Sequence, residues 1–257
     1  MSRPTWTPDA LRSEARPYAG VAWRFVEAQH RVSTLKLVDS LAEQALLEDI
    51  LEEGKPPFPE ECLHLDYLLA TPFRYRPYPS GSRFRRAGLT PGVWYGAERP
   101  ETAAAEMVFY RFLFYAESPA TPFPDDAAEY TVFAANIATD VALDLMAGGL
   151  AADEAIWMHP TDYAPSQDLA EAARMIGTEI IRYRSVRDPG QGANLAILAC
   201  PAFAIPHPVE RQTWRIRISI NGGQAIREHP RLGLEFPTDA FDADPRLEPM
   251  VWHRPQT

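Results

Sequence analysis

Apolar positions recur with a helical period in the segment "STLKLVDSLAEQALLEDILEEG". The apolar side chains on one face, at a spacing of about 3.6 residues, are Leu35, Val38, Leu41, Ala42, Ala45 and Leu46. Ser33 or Thr34 can cap this helix, Gly54 supplies a C-terminal stop, and Pro56-Pro57 forbid continuation. We therefore predict a helix over residues 33–53. Its acidic residues are expected to face solvent, and docking of a basic partner is the alternative.

Further along the chain, helix-like and strand-like patterns follow each other irregularly. "PETAAAEMVFYRFLFYAES" begins with proline and predicts a largely buried helix over residues 100–116. "GVWYGAE", "YTVFAANIA", "TEIIRYRS" and "NLAILAC" have the composition of short strands, and "QDLAEAARMIG" predicts a short helix. "TWRIRISINGGQAIREH" alternates across an Asn-Gly-Gly turn and predicts a hairpin. Because no regular βαβ alternation is present, we predict an α+β fold.

The chain shows no internal repeat and no low-complexity linker, so we predict one compact domain over residues 1–257. Its core is expected at about residues 70–205. Residues 1–69 would form a helical N-terminal extension, and residues 206–257 a C-terminal hairpin and tail. The 25 prolines favour many short elements joined by fixed turns.

Composition narrows the classes of function. A hydrophobic content of 46% and a charged content of 23% are typical of a soluble globular protein. The formal net charge of -10 argues against nonspecific nucleic-acid binding, which needs a basic face. No window approaches the ~18 apolar residues of a membrane span, and the N-terminal residues lack the apolar region of a secretory signal. These observations predict a cytoplasmic protein that does not contact membranes.

The two cysteines and six histidines do not suggest a metal site. Cys62 and Cys200 lie far apart in apolar contexts, so we expect reduced core residues and no disulfide. The histidines are scattered, and neither HExxH nor CxxC spacing occurs. A metal-dependent enzyme is therefore not expected.

Positive charge is concentrated in one loop of this acidic chain. Residues 73–91 contain no acid and five arginines, which are Arg74, Arg76, Arg83, Arg85 and Arg86. Arg83 follows Gly81 in a proline-rich context, where a guanidinium can offer paired donors to a phosphate or carboxylate. The pattern indicates an anion site, and surface arginines paired with acids are the alternative. Arg24 and Arg74 are secondary anion-site candidates.

Three further side chains are candidates for chemistry. Tyr95 is either a stacking platform for a planar ring or a core residue with its hydroxyl bonded. Glu106 lies among apolar neighbours, where a buried carboxylate needs an arginine partner or a ligand. Ser185 precedes the loop "VRDPGQGAN" without a G-x-S-x-G elbow, so it is a hydrogen-bond donor or a turn residue and not a hydrolase nucleophile.

The ordered series "GSRF", "VWYGAE", "TAAAE" and "DLAEAARMIGTEIIRYRSVRDPGQGANLAIL" resembles the RES domain, which is named for its Arg, Glu and Ser. This domain is the toxin half of bacterial RES–Xre toxin–antitoxin pairs. The resemblance spans about residues 70–200 and matches Arg83, an accompanying Tyr95, Glu106 and Ser185. Gly81-Ser82-Arg83 departs from the Gly-Gly-Arg that is common in compact RES domains.

The resemblance implies a fold similar to that of ADP-ribosyltransferases of the diphtheria-toxin type. It implies NAD+ as the substrate, cleaved at the nicotinamide–ribose bond by hydrolysis or phosphorolysis. Arg83 would bind phosphate or ribose oxygens, and Tyr95 would bound the nicotinamide pocket. Glu106 would face the charge that develops at the ribose, and Ser185 would position the nicotinamide amide or a ribose.

The resemblance also implies a partner, a cognate Xre-type helix-turn-helix antitoxin that blocks the site. No direct contact with nucleic acid is expected, and a higher-order toxin–antitoxin oligomer is left open. Two alternatives remain at this point. The same site could transfer ADP-ribose to a cellular protein, or the arginine-rich loop could belong to a noncatalytic anion-binding module.

Overall fold

The computed structural model describes residues 6–27, 37–75 and 79–254. The helices in these ranges, numbered α1 to α6 in chain order, are Pro8–Glu14, Leu41–Glu53, Tyr67–Arg74, Pro100–Glu117, Glu154–Trp157 and Ala164–Met175. The strands, β1 to β8, are Arg16–Glu27, Trp94–Ala97, Ala128–Asp144, Ile180–Arg184, Ala193–Ile197, Glu210–Ser219, Gly222–Arg227 and Leu232–Phe236. This mixture of helices and strands confirms the predicted α+β class. Within the described residues, no helix has the length and apolar composition needed to cross a bilayer.

All eight described strands belong to one sheet, in the order β1-β2-β5-β4-β3-β6-β7-β8. Strand β1 also pairs antiparallel with β3 along most of its length, so five strands form a closed circuit of pairings. Strand β4 pairs with β3 in parallel, and the other neighbours are antiparallel. The predicted hairpin is confirmed: β6 and β7 pair across a tight turn, where Gly222 has a φ of 107° that suits glycine.

Strand β1 was not predicted and corrects one expectation. It lies inside residues 1–69, the segment predicted as a helical extension, and it pairs with both β2 and β3. Strands β7 and β8 likewise extend the sheet beyond β6. The sheet therefore draws strands from all three predicted parts of the chain.

Helix α4 packs across the sheet and carries one of the candidate site residues. Its buried side chains include Val108, Phe109 and Phe112, which join a core cluster with Trp214 of β6 and Phe236 of β8. The small residues of its first turns are almost fully buried and allow close approach to the sheet. The predicted buried helix over residues 100–116 is thus confirmed, and its packing fixes the position of the neighbouring Glu106.

Helix α2 begins later than predicted, and its apolar face is not buried. The proposed caps at residues 33 and 34, and Leu35, lie outside the described residues. In the structure Ser40 caps the helix by accepting a hydrogen bond from the Glu43 amide at 3.2 Å. Leu41 is 76% exposed, whereas Gln44 is 7% exposed. Helical periodicity tells which residues share a face, but another element must still cover that face.

The expectation of two reduced cysteines is wrong. Cys62 and Cys200 form a disulfide with their Cα atoms 5.4 Å apart, although 138 positions separate them in the chain. Cys62 ends the short 3-10 helix Glu60–Cys62, and Cys200 begins the 3-10 helix Cys200–Ala202. Both residues are buried in one apolar cluster, which tertiary packing brings together and local sequence does not reveal.

Candidate active site

A cavity of about 560 Å³ lies between the middle of β1, strand β2, helix α4 and the loop of residues 81–85. This volume suits a small-molecule ligand. Four of the residues predicted from the sequence line it: Arg24, Arg83, Tyr95 and Glu106. The fold thus brings together side chains from four separate segments of the chain.

Glu106 projects from helix α4 and is half-buried. Its Oε1 accepts hydrogen bonds from Ser185 Oγ at 2.5 Å and from Asn194 Nδ2 at 2.6 Å. Among the described residues, no arginine forms an ion pair with this carboxylate, so the buried ion pair considered from the sequence is not what the structure shows. Both bonds end on Oε1, and no described residue donates a hydrogen bond to Oε2, so this second oxygen can serve a ligand in the cavity.

Ser185 is 3% exposed and lies behind Glu106. Its hydroxyl oxygen accepts the backbone N–H groups of Arg187 at 3.2 Å and Asp188 at 3.1 Å. A serine hydroxyl has a single proton, and here that proton is donated to Glu106. Ser185 therefore orients the carboxylate and has no second proton to donate to a substrate amide.

The loop that follows Ser185 is fastened to the start of α4. Asp188 Oδ2 accepts hydrogen bonds from Thr102 Oγ1 at 2.7 Å and from the Gly192 amide at 3.0 Å. A Cβ atom at Gly192 would lie 2.0 Å from Thr102 Oγ1, so only glycine permits this approach. These contacts fix the distance between Ser185 and the helix that carries Glu106.

Arg83 is 7% exposed, and its guanidinium lies at the cavity wall. It donates one hydrogen bond through Nη1 to the carbonyl of Trp157 and lies 4.7 Å from the ring centroid of Tyr163. No carboxylate pairs with it within the part of the chain that the structure describes. The alternative of a surface arginine paired with an acid therefore does not hold for Arg83, whose remaining donors can serve an anionic ligand.

Tyr95 clamps the loop that carries Arg83. Its hydroxyl lies 2.8 Å from Ser82 Oγ and accepts a hydrogen bond from the Phe84 amide at 3.1 Å. Burial raises the pKa of Tyr95, so the hydroxyl stays protonated at neutral pH. The hydroxyl is therefore bonded, as the core reading predicts, and Tyr95 also lines the cavity.

The remaining arginines of the 73–91 segment have different surroundings. Arg85 lines the cavity beside Arg83. Arg86 instead forms ion pairs with Asp168 and Glu171 on α6. Arg76 lies outside the described residues. The cluster therefore combines two cavity cations with at least one structural cation.

The two secondary anion-site candidates, Arg24 and Arg74, lie in different surroundings. Arg24 lines the cavity and donates through Nη1 to the Tyr95 carbonyl at 2.9 Å. The structure does not bring Arg74 into the cavity. Its guanidinium pairs with Glu52 and lies 4.4 Å from the ring centroid of Phe58, because α3 directs it toward α2 and the following loop.

Several polar residues of the cavity were not predicted from the sequence, among them Asn194, Arg187 and Arg246. Asn194 is 4% exposed within the strand "ANLAI", whose other members are all apolar and buried. A lone amide in such a strand is a usable signal, because a buried amide needs hydrogen-bond partners. Arg187 lies two residues after Ser185. No local pattern marked Arg246, which reaches the cavity from the C-terminal segment.

The described residues contain no group of three or more His, Cys, Asp or Glu that could hold a metal ion. The chemistry available at this cavity is that of a carboxylate, four tyrosines at its wall and several guanidinium groups. Such a site suits a ligand that carries both anionic groups and a cationic or electron-poor centre.

The fold and the site define an α+β protein with an arginine-lined cavity beside a hydrogen-bonded carboxylate. A family model of the RES domain matches residues 59–219, well over half of the chain, and the chain therefore belongs to the RES domain family. The matched range contains Arg83, Tyr95, Glu106 and Ser185. The four residues that carry the sequence resemblance to the RES domain therefore lie at one cavity or directly behind it.

Two further comparisons complete this picture. No curated protein matches the sequence. Among solved structures, a chain in the crystal structure of the M. tuberculosis MbcT-MbcA toxin-antitoxin complex is similar, with 13% sequence identity and a TM-score of 0.47. That similarity covers 82% of this chain and 92% of the other.

Proposed function

We propose that this chain is a toxin-type enzyme that cleaves NAD+ at the nicotinamide–ribose bond. The observation that carries the proposal is the carboxylate of Glu106, held by two hydrogen bonds in a cavity that arginines also line. NAD+ has the matching chemistry, because it joins an anionic diphosphate to a ribose bearing cationic nicotinamide. Membership of the RES domain family supports the same substrate.

The reaction would begin with cleavage of the bond between ribose C1′ and the nicotinamide nitrogen. The bonding electron pair leaves with nicotinamide, which becomes neutral, and positive charge develops on the ribose as an oxocarbenium ion. Glu106 would stabilise that charge, either directly or through a ribose hydroxyl bonded to Oε2. At ~4 Å and an effective dielectric of ~20, such an interaction is worth about 4 kcal/mol before desolvation.

The other residues would bind and orient. Arg83 and Arg85 would hold phosphate or ribose oxygens, and the Tyr95 ring would bound the nicotinamide end of the cavity. Ser185 and Asn194 would act through Glu106 by keeping its carboxylate in one orientation. This assigns Ser185 a positioning role in place of the direct contact with substrate expected from the sequence.

The oxocarbenium ion is then captured by an oxygen nucleophile. Capture by water gives ADP-ribose and releases one proton, and capture by inorganic phosphate gives the 1-phosphate ester of ADP-ribose. Both routes need the same first step and the same carboxylate. The distinction therefore rests on the products and on whether phosphate accelerates the reaction.

The test is nicotinamide release from NAD+ by the purified chain, with and without phosphate, followed by identification of the second product. We expect one nicotinamide for each NAD+ consumed, with either ADP-ribose or its phosphate ester. Intact NAD+ after long incubation, together with measurable binding of NAD+, would instead support a noncatalytic anion-binding module. Transfer of labelled ADP-ribose to lysate proteins, without free product, would support a protein ADP-ribosyltransferase.

We further propose that a cognate Xre-type antitoxin neutralises this enzyme in the cytoplasm. The support is membership of the RES domain family, because the resemblance to that family implies such a partner. Coexpression with the product of the adjacent gene should yield a complex in which nicotinamide release is suppressed. Full activity in the presence of that neighbour would argue against this pairing.

A further inference from the structure

The C-terminal segment reaches the cavity from outside the matched domain. The RES match ends at residue 219, whereas β7, β8 and the following turns occupy residues 222–250. This segment is anchored on α4, since the ring of Phe241 packs 5.5 Å from Phe109 and 5.3 Å from Phe112, centroid to centroid. Helix α4 also carries Glu106, so the segment is fixed relative to the candidate catalytic carboxylate.

Asp244 holds two guanidinium groups at the cavity wall. This residue is 3% exposed. Its Oδ2 lies 2.7 Å from Arg187 Nη2 and 2.9 Å from Arg246 Nη2, and its Oδ1 accepts from Arg246 Nε at 3.0 Å. Arg246 is thus bound in the bidentate geometry that best fixes a guanidinium.

The two arginines share further supports. Their guanidinium carbons lie 4.1 Å (Arg187) and 5.2 Å (Arg246) from the ring centroid of Phe109. Both also donate to the Pro160 carbonyl, at 2.9 Å and 3.4 Å respectively. Both line the cavity that contains Glu106 and Arg83. Because aromatic, carbonyl and carboxylate contacts all constrain them, their donors are preorganised for a ligand.

The charge of this cluster does not balance. Burial opposes the ionisation of Asp244, but hydrogen bonds from Arg246 and the charge of Arg187 hold its pKa below the ordinary value. One carboxylate therefore faces two guanidinium groups, and the cluster adds one net positive charge to the wall. Arg187 is buried and Arg246 is partly exposed at the cavity, so the excess positive charge borders the cavity, where an anion can pair with it.

We propose that Arg246, supplied by the segment beyond the RES match and positioned by Asp244, binds a phosphoryl oxyanion in the active-site cavity. The inference rests on the proposed function, in which the phosphoryl group belongs either to the diphosphate of NAD+ or to inorganic phosphate as the acceptor. The C-terminal segment is then part of the substrate site.

The test compares Arg246→Ala and Arg246→Lys with a matched control, Arg231→Ala, which removes an exposed arginine of the same segment. Arg187 still pairs with Asp244 in the Arg246 variants, so the fold should persist, and thermal denaturation checks this. We expect Arg246→Ala to raise the KM for NAD+ or for phosphate roughly tenfold to a hundredfold, the range for a hydrogen bond to a charged group. The kcat should stay within about threefold, with Arg246→Lys intermediate and the control unchanged.

Calorimetric titration with ADP and with inorganic phosphate separates the two sources and does not depend on turnover. Weaker binding of ADP alone to Arg246→Ala identifies the NAD+ diphosphate, and weaker binding of phosphate alone identifies the acceptor. Equal affinities of the wild-type chain and Arg246→Ala for both probes, or no binding of either probe to the wild-type chain, overturns the inference. If the wild-type chain does not consume NAD+, the proposed function fails, and these titrations still decide the role of Arg246.

Discussion

Replacing Glu106 with glutamine removes the negative charge from the cavity while it keeps the shape of the side chain. The amide oxygen of glutamine can take the place of Oε1 and accept the same two hydrogen bonds from Ser185 and Asn194. We therefore expect Glu106→Gln to fold and to bind NAD+ within severalfold of the wild-type affinity. The loss should fall on the chemical step, because a neutral amide cannot balance an oxocarbenium ion.

The size of that loss follows from the interaction energy. About 4 kcal/mol of charge stabilisation, at ~1.4 kcal/mol for each factor of ten, corresponds to roughly a thousandfold in kcat. The energy is an upper value, because the carboxylate is half-buried and desolvation opposes it. A fall in kcat of two to three orders of magnitude is therefore the expected result.

The assay is nicotinamide release under saturating NAD+, with binding measured separately by calorimetry. A suitable control is Glu117→Gln, which neutralises an exposed carboxylate at the end of the same helix and does not touch the cavity. If Glu106→Gln released nicotinamide at nearly the wild-type rate, the reasoning would be refuted. An equal loss in the control would show that net charge, and not position, was responsible.

Two further predictions concern the supports of the site, and a third concerns the disulfide. Ser185→Ala removes a hydrogen-bond donor to Glu106 and should lower kcat roughly tenfold to a hundredfold, with little change in KM. A change in KM alone would instead indicate that Ser185 contacts the substrate directly. Tyr95→Phe removes the hydroxyl that holds the loop around Arg83, so it should raise the KM for NAD+ about tenfold and lower the free energy of unfolding by about 1–3 kcal/mol. An unaltered KM would contradict the role of this hydroxyl in holding the loop. Reduction of the disulfide should lower the free energy of unfolding by about 2–4 kcal/mol in urea titrations. The free energy of unfolding of Cys62→Ser should not change when reductant is added. If that of the wild-type chain were equally unchanged, the disulfide would be excluded.

The sequence predicted which residues form the site more completely than it predicted the hydrogen-bond partners of those residues. Arg83, Tyr95 and Glu106 line one cavity, and Ser185 lies directly behind it, although Ser185 is 79 positions from Glu106. Their identity was accessible because ordered motifs are local and can be matched one at a time. Their partners were not accessible, since a residue's hydrogen-bond partner depends on which strands and helices become neighbours.

The arginines show the same difference between what the sequence predicts and what depends on tertiary contacts. Composition marked the 73–91 segment as cationic, and it could not distinguish Arg83, which borders the cavity, from Arg86, which is paired with two acids of α6. The distinction requires the position of α6. Arg246 is the opposite case, because no sequence pattern near it predicts a role in the site. It reaches the site only because the C-terminal segment packs on α4.

The sequence by itself determined the class of the fold, most elements and the ordered residues of the RES domain. Those features depend on periodicity, turn residues and motifs within short windows. The tertiary structure decided the disulfide of Cys62, the exposure of Leu41, the pairing of Arg74 away from the cavity and the addition of Arg246 to it. The physical reason is that burial, ion pairing and cavity shape arise from contacts between distant segments, and no short window of the chain contains both partners.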